Sequence, residues 1–257
     1  MYFASIGSGS SGNGTLIKSD KNLILLDCGF TCKETVRRLA LLDVKPEDIT
    51  AILVTHEHND HISGVGVLSR KYQIPVYMNY GTYTQKNLGI FHRLTIFNSF
   101  QSFYIDDLLI LPLIVPHDAR EAVQFIFQKN HKRLAILTDL GHVSPYLVQE
   151  LKTIHALVIE ANHDLTMLKN GSYAESLKKR VSGNYGHLEN QQAIQLINQI
   201  DLNQCQHLVA AHLSQENNST DEVIKAFEPI QQVLSKKVQL EIELAGQENG
   251  FKWKTIR

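Results

Sequence analysis

The segment Thr55-His56-Glu57-His58-Asn59-Asp60-His61 directly follows a short apolar run that predicts a buried β-strand. Side chains at positions i and i+2 of an extended segment point to the same side, so His56 and His58 can bind one metal ion together. Asp60 and His61 lie beyond the turn, where they can reach a second ion beside the first. Three imidazoles and a carboxylate this close together are costly to bury without a metal ion. The segment therefore predicts a metal centre, and a solvated polar turn is the alternative.

Three further candidate ligands stand at the ends of apolar runs elsewhere in the chain. They are His117 after Ile114-Val115-Pro116, Asp139 after Ile136-Leu137-Thr138, and His212 after Leu208-Val209-Ala210-Ala211. Ions and substrates usually collect at strand ends in α/β folds. Each residue alone is more compatible with a structural role, but with the four above they form a set that predicts two divalent ions.

Composition excludes several classes of protein. The chain has 257 residues, a net charge of −1 and 43% hydrophobic residues, which excludes a disordered chain and binding to nucleic acid by bulk charge. Three cysteines are too few for a disulfide framework at this length. There is no apolar run of about 18 residues and no signal-peptide pattern at the start, so we expect no membrane association and a cytoplasmic location.

Apolar runs alternate with turns and amphipathic stretches, which predicts one α/β domain over 1–257 with helices outside two facing sheets. Strands are predicted at 2–6, 15–19, 23–27, 51–55, 75–78, 156–160 and 207–212. Helices are predicted at 32–42 and 63–72, and near 144–152, 172–181, 189–200 and 220–234. Region 94–138 predicts a β-ribbon, and VQLEIEL (238–244) and GFKWKTI (250–256) predict a final pair of strands.

The pattern T-H-x-H-x-D-H at 55–61, followed by a distant His, Asp and His, resembles the signature of metallo-β-lactamase-fold hydrolases. The resemblance covers nearly the whole chain and implies a four-layer αββα sandwich. It implies that the first metal is held by His56, His58 and His117, the second by Asp60, His61 and His212, and that Asp139 bridges the two. It also implies that Asp27 supports the site without binding an ion, whereas a strand-end cap is the alternative.

Further stretches resemble the YycJ-type (WalJ) branch of this family. They are Glu160-Ala161-Asn162-His163-Asp164, Gly186-His187-Leu188-Glu189-Asn190, His212–Asn218 and the opening Gly7–Asn13. Members are regarded as DNA exonucleases acting from the 5′ end, which implies DNA as the substrate and DNA-repair proteins as partners. Antibiotic-hydrolysing members resemble one another in having Cys where this chain has Asp139, so we do not expect β-lactamase activity.

The order of Glu160, His187 and His212 also resembles tRNA-processing RNase Z, in which the middle histidine lies at the scissile phosphate. The resemblance implies that His187 donates a proton to the leaving oxygen or clamps the phosphate, while Glu160 orients it. A loop histidine that the backbone satisfies is the alternative. His163 and Asp164 either line the cleft or cap the next helix.

The implied chemistry is hydrolysis of a phosphodiester. Two divalent ions about 3.5–4 Å apart can lower the pKa of water and stabilise the attacking and leaving oxygens. Asp60 would then orient the nucleophile as well as bind metal. Nitrogen and carboxylate ligands without a thiolate fit zinc, manganese or iron. Thioester or lactone hydrolysis of the glyoxalase-II type is the alternative, but the long interval between Asp139 and His212 favours phosphoryl chemistry.

Three stretches are candidates for contacts to phosphate. Arg120 could bind non-bridging oxygens, or be an ordinary surface arginine. The glycine-rich loop 8–14, which contains the candidate Asn13, could offer backbone N–H groups to a phosphate, or be a plain turn. The run 178–180, Lys-Lys-Arg, predicts either a local nucleic-acid patch or a solvated helix face.

Overall fold

The strands and helices follow the alternation of apolar runs along the chain. The computed structural model describes residues 1–85, 88–238, 240 and 242–257. Its strands are β1 (Tyr2–Gly7), β2 (Gly14–Lys18), β3 (Leu23–Leu26), β4 (Ala51–Leu53), β5 (Val76–Asn79), β6 (Leu94–Phe97), β7 (Phe103–Ile105), β8 (Leu108–Ile114), β9 (Val123–Lys129), β10 (Lys132–Leu137), β11 (Ala156–Glu160), β12 (His207–Ala211), β13 (Ile242–Leu244) and β14 (Phe251–Thr255). Its helices are α1 (Cys32–Ala40), α2 (Asn59–Ile62), α3 (Val65–Tyr72), α4 (Tyr80–Gln85), α5 (Pro145–Glu150), α6 (Leu165–Asn170), α7 (Glu175–Val181), α8 (Asn190–Ile197) and α9 (Thr220–Val238), and a 3₁₀ helix spans Pro46–Asp48.

The described strands form two mixed sheets. The first sheet has the order β14-β1-β2-β3-β4-β5-β6 and the second the order β13-β12-β11-β10-β9-β8-β7. Strands β3 to β6 are parallel neighbours, as are β10 to β13. Strand β8 runs in the same direction as β10, because each pairs antiparallel with β9. Parallel strands bring their carboxyl ends to one edge of a sheet.

The core lies in three layers between four layers of secondary structure. In β3, Leu23 and Leu25 pack outward against helices, whereas Ile24 and Leu26 pack between the sheets. Strand β11 behaves in the same way, with Leu157 and Ile159 outward and Val158 inward. Strands covered on both faces are apolar throughout, which explains the continuous hydrophobic runs.

Helices cover the outer faces, so the predicted αββα sandwich is confirmed. Helices α1 and α3 pack Leu39 and Leu68 against the first sheet. Helices α8 and α9 pack Leu196 and Phe227 against the second sheet. No helix in the described part of the chain has the length and apolar character needed to cross a bilayer.

Two predictions of strand organisation are corrected. Region 94–138 is not one ribbon, since β6 pairs parallel with β5 in the first sheet while β7 to β10 belong to the second. The chain changes sheets between β6 and β7, which local β-propensity does not reveal. The final strands do not pair with each other: β14 pairs with β1 and β13 with β12. Positions 239 and 241 of the predicted strand 238–244 lie outside the described residues.

Candidate metal centre

The candidate metal centre lies where the parallel strands of both sheets end. His56 follows β4, Asp139 follows β10, and His212 directly follows β12. Nε2 of His61 lies 3.1 Å from Oδ2 of Asp139, so the carboxyl ends of both sets of strands meet at one edge of the sandwich. Below, this is called the metal edge.

His56, His58 and His117 form one group of possible ligands, with one nitrogen of each within 4.8 Å of the others. Nδ1 of His117 donates to the carbonyl oxygen of Gly186 at 2.9 Å, and Nδ1 of His56 lies 2.9 Å from the Thr55 hydroxyl. These contacts leave Nε2 of both rings for an ion. Nδ1 of His58 lies 3.2 Å from Nε2 of His117. Nε2 of His56 is buried with no hydrogen-bond partner among the described residues.

Asp60, His61 and His212 form a second group beside the first. Oδ2 of Asp60 lies 3.4 Å from Nε2 of His61 and 3.4 Å from Nε2 of His212. The other nitrogen of each ring is held by a carboxylate: Nδ1 of His61 by Asp27 at 2.8 Å, and Nδ1 of His212 by Glu160 at 3.3 Å. Carboxylates in this position orient metal-binding imidazoles and raise their basicity.

Asp139 lies between the two groups. Its Oδ1 is 3.9 Å from Nε2 of His117 and 3.6 Å from Nε2 of His212, while its Oδ2 faces His61. Among the described residues, the buried Oδ2 faces Nε2 of His61 without the geometry of a hydrogen bond. Buried imidazole nitrogens and carboxylate oxygens that lack partners fit a divalent cation, which would satisfy them at once.

The carboxylates and imidazoles of the cluster shift one another's pKa values. Burial opposes charge on His212, yet Asp139, Asp60 and Glu160 outweigh it and raise the pKa of His212 to about 10. Burial would raise the pKa of Asp139, but His212 and His61 hold it well below its usual value. Burial lowers the pKa of His56 well below its usual value. A bound cation would replace the protons on His61 and His212, so metal binding releases protons.

Asp27 occupies a strained backbone position to reach this site. Its φ of 61° lies in the left-handed region that residues other than glycine rarely adopt. Its carboxylate accepts from the backbone N–H and the hydroxyl of Thr55, both at 2.9 Å, as well as from His61. These contacts join the end of β3 to the histidine segment, so strain at Asp27 supports the orientation of His61.

Glu160 and His187 form a buried pair next to the metal groups. Nδ1 of His187 donates to Oε1 of Glu160 at 2.7 Å. Oε2 of Glu160 accepts from the backbone N–H groups of Leu140 (2.9 Å) and Leu188 (3.2 Å), which fixes the carboxylate. Burial opposes charge on His187, but Glu160 and Asp139 raise its pKa above the usual value. The Glu160 carboxylate therefore fixes the orientation of the His187 ring.

The comparisons with known proteins agree with this geometry. Residues 7–148 match the sequence pattern of the Metallo-beta-lactamase superfamily. The chain is 35% identical over 241 residues to exodeoxyribonuclease YycJ of Bacillus anthracis, which covers 92% of this chain and 90% of the relative. The chain belongs to the metallo-β-lactamase superfamily. It is also 37% identical over 222 residues to exodeoxyribonuclease WalJ of Streptococcus pneumoniae serotype 2, covering 84% of this chain and 82% of the relative.

The fold comparison points the same way. The metallo-β-lactamase fold protein YhfI of Bacillus subtilis superimposes with a TM-score of 0.73 over 99% of each chain, at 16% identity, which shows the fold alone. Membership of the superfamily, together with the His/Asp groups, confirms the predictions of a divalent-metal site and a metal-dependent hydrolase.

The remaining predicted residues of this metallo-β-lactamase-fold hydrolase lie in three kinds of position: at the metal edge, on the surface and in the interior. Nδ2 of Asn13 lies 3.1 Å from Nε2 of His61 and 3.3 Å from Oδ2 of Asp60, within the metal edge. Arg120 is exposed, and its backbone N–H donates to Glu57 at 2.8 Å. His163 is buried, and burial lowers its pKa to about 4.

Asp164 caps the helix that follows it, one of the two predicted roles. Its side chain accepts from the backbone N–H of Met167 at 2.8 Å, at the start of α6. An aspartate at this position satisfies an N–H group that the helix leaves unpaired.

Most backbone N–H groups of the glycine-rich loop bond within the protein, which favours a plain turn over a cradle for phosphate. The N–H of Gly9 donates to the Asn13 side chain, that of Ser11 to Gln247, and that of Gly12 to the carbonyl oxygen of Gly9. The N–H of Asn13 donates to the carbonyl oxygen of Asp60 at 2.7 Å. These groups hold the loop against the metal edge, so they are not free for a ligand.

Sequence reasoning did not single out three polar residues that hold the ligands. The Thr55 hydroxyl contacts Asp27 and His56, and the Ser8 hydroxyl accepts from the backbone N–H of His212 at 2.9 Å. Nδ2 of Asn162 donates to the carbonyl oxygen of His212 at 3.0 Å. All three lie inside the quoted stretches of sequence, and this position was the signal that could have identified them.

Proposed function

We propose that this chain is a dinuclear metal-dependent phosphodiesterase that acts on DNA as an exonuclease from the 5′ end. The observation that carries the proposal is the convergence of two donor groups on Asp139, with His187 held beside them by Glu160. Relatives named exodeoxyribonuclease, aligned over most of the chain, support DNA as the substrate. A cytoplasmic location and DNA-repair partners stay predictions from the sequence.

The proposed ligands are those implied by the family resemblance. His56, His58 and His117 would hold one ion, Asp60, His61 and His212 the other, and Asp139 both. Zinc, manganese and iron all fit these nitrogen and oxygen donors. When bound, a pair of such ions lowers the pKa of water and offsets the charge of the phosphodiester.

The residues around the ions would supply proton transfer and orientation. Asp60 is the least buried carboxylate of the metal groups, with 22% of its side chain exposed, so it can face the attacking water. His187 has 19% of its side chain exposed and a Glu160 partner that favours its protonated form. We propose that His187 donates this proton to the leaving oxygen, since a general acid must be protonated before bond cleavage.

The test is cleavage of a 5′-phosphorylated, 3′-labelled DNA oligonucleotide with added Mn²⁺. We expect the wild type to shorten the DNA stepwise from the 5′ end, and Asp60→Ala to lose this activity. Asp201→Ala is the matched control, because Asp201 is exposed before β12, at the opposite edge. Intact DNA and intact matching RNA with metal demonstrably bound would reject a nuclease, and thioesters and lactones would be tested next.

A further inference from the structure

Four exposed aromatic side chains lie on segments that follow strand ends or contact a ligand at the metal edge. Tyr80 directly follows β5 and is 65% exposed, and Phe100 follows β6 and is 84% exposed. Tyr185, which is 64% exposed, precedes the Gly186–His187 pair, and Tyr146 on α5 is 50% exposed. Single exposed aromatic residues are ordinary, but a set at one functional edge indicates a binding surface. We call these four residues the aromatic rim.

Glu121 fastens two members of the rim to the loop that leads from β8 to β9. Its carboxylate accepts from the backbone N–H of Gly81 and from the hydroxyl of Ser99, both at 2.7 Å. These donors are the direct neighbours of Tyr80 and Phe100 in the chain. A Cβ atom at Gly81 would lie 2.4 Å from Cβ of Glu121, so the two segments are in close contact. Tyr80 and Phe100 are thus positioned by the same loop that carries His117.

Tyr185 is held from both sides at the opposite flank of the same group. The carbonyl oxygen of Gly186 accepts from Nδ1 of His117, and that of Asn184 accepts from Nδ1 of His142, each at 2.9 Å. Tyr185 directly precedes Gly186, whose carbonyl oxygen holds the candidate ligand His117. The Cα atoms of Tyr185 and Gly186 are about 3.8 Å apart, as for any two consecutive residues.

Phe100 and Tyr146 line one open cleft of about 630 Å³ together with Pro112 and Ile114. The cleft lies beside the last residues of β8, directly before the loop with His117. Its lining combines these apolar side chains with Ser99, Gln101, Ser102 and Glu150, and it is open to solvent, which suits a planar ring with polar edges.

Positive charge accompanies these rings. The guanidinium of the exposed Arg120 has no hydrogen-bond or ion-pair partner within the described part of the chain. A Cβ atom at Gly81 would lie 3.4 Å from Cγ of Arg120. Arg120 therefore lies beside the segment that carries Tyr80. Arg180, 57% exposed, pairs with Asp118 at 2.5 Å on the side of Tyr185. Cations along a strand path combined with stacking aromatic rings are typical of sites for unpaired nucleic acid.

We propose that the aromatic rim stacks the unpaired bases of the strand whose end lies in the metal centre, with Arg120 contacting its backbone. This inference rests on the proposed nuclease function. It makes base stacking a determinant of affinity that is separate from the metal ligands. It predicts that the protein binds a single strand that carries bases more tightly than an abasic strand of the same length and charge.

The test is fluorescence anisotropy with the metal-loaded protein and two single-stranded oligonucleotides of equal length. One is a thymidine oligomer and the other is fully abasic, and both carry phosphorothioate linkages that slow cleavage and keep the charge. We expect the wild type to bind the thymidine oligomer at least about tenfold more tightly, since stacking is worth about 1–3 kcal/mol per base. Phe100→Leu and Tyr185→Leu should each reduce this ratio several-fold.

Tyr104→Leu is the matched control, because Tyr104 is 68% exposed but pairs with the start of β8, far from the metal edge. The proposal is overturned by equal binding of both oligonucleotides to the wild type. It is also overturned if the rim variants keep the wild-type ratio of the two affinities. A third contrary outcome is that sedimentation shows the wild type to self-associate through Phe100 and that Phe100→Leu abolishes this association without changing the ratio. Hydrolysis of bis(p-nitrophenyl) phosphate, which has no bases, separates this failure from failure of the phosphodiesterase proposal.

Discussion

The two edges of the sandwich both carry pairs of histidines, with very different surroundings. At the metal edge the rings of His61 and His212 lie 5.8 Å apart. At the opposite edge, where β10 and β11 begin, the rings of His131 and His155 lie 6.0 Å apart. All groups of possible metal ligands found among the described residues lie at the metal edge. The spacing of the rings therefore does not distinguish a metal centre from an ordinary surface pair.

The distinguishing feature is the set of carboxylates that faces the rings. Three of them, led by Asp139, raise the pKa of His212 to about 10. Burial lowers the pKa of His155, and the neighbouring His131, Lys132 and Arg133 lower it further. An edge that gathers carboxylates around imidazoles favours a cation, whereas an edge that gathers other cations repels it.

The largest expected effect comes from removing ligands at the metal edge. We expect His61→Ala and His212→Ala each to lower kcat/KM on DNA by about 10³-fold or more, because metal-based activation of water supplies most of the chemistry. Metal content per folded chain should fall in both variants. His155→Ala should leave both values unchanged. Full metal content in His61→Ala and His212→Ala would contradict the ligand assignment.

A smaller effect is expected from Glu160→Gln, which removes charge next to His187 and keeps the shape. We expect kcat to fall about 10²-fold, because positioned proton transfer is worth about 10²–10⁴. Since Glu160 raises the pKa of His187, its loss should move the alkaline limb of the kcat–pH profile to lower pH. Glu189→Gln, at the start of α8, should leave the limb in place. An unshifted limb in Glu160→Gln would exclude His187 as the proton donor.

Asp27→Asn tests whether strain at the end of β3 serves the metal centre. Asparagine tolerates positive φ, so the backbone should persist while the charge facing His61 is lost. We expect metal affinity to fall about 10–100-fold, as for other partners of ligand histidines. Asp43→Asn is the matched control, because the exposed Asp43 also has positive φ (55°). Equal metal affinity in both variants would make Asp27 a plain strand-end cap.

The smallest effect is expected at the opposite edge, from Asp107→Asn. The carboxylate accepts from Ser19 (2.7 Å), Asn22 (2.9 Å) and Lys129 (2.6 Å), and its pKa is about 2, since these contacts outweigh desolvation. A lowered pKa stabilises the fold above the usual value of 3.8, and the benefit is lost as pH falls towards 2. We expect a cost of about 1 kcal/mol at pH 7, or a Tm lower by about 2–4 °C.

Nuclease activity of Asp107→Asn should equal that of the wild type, and the difference in Tm should shrink at pH 3. Thermal unfolding at the two pH values measures this. A constant difference in Tm would mean that packing, not charge, carries the contribution of Asp107.

Much of the fold was predictable from local sequence. Continuous apolar runs and flanking turns located most strands, because strands buried on both faces must be apolar along their whole length. The placement of β6, β13 and β14 was not predictable, since it depends on which sheet edge is free to pair. For Asp164, helix capping and cleft lining use the same residue type, and only the position of α6 separates them.

The sequence by itself determined the family, the αββα class and the candidate ligands, because metal binding needs particular donor atoms at narrow spacings that chance rarely reproduces. Only the tertiary structure showed the contacts through which protein groups hold those ligands. Asp27 reaches His61, Glu160 reaches His187 and His212, and Asn13 reaches Asp60 across long intervals of sequence. The physical reason is that parallel strands of two sheets end at one edge, which brings together residues that no local pattern relates.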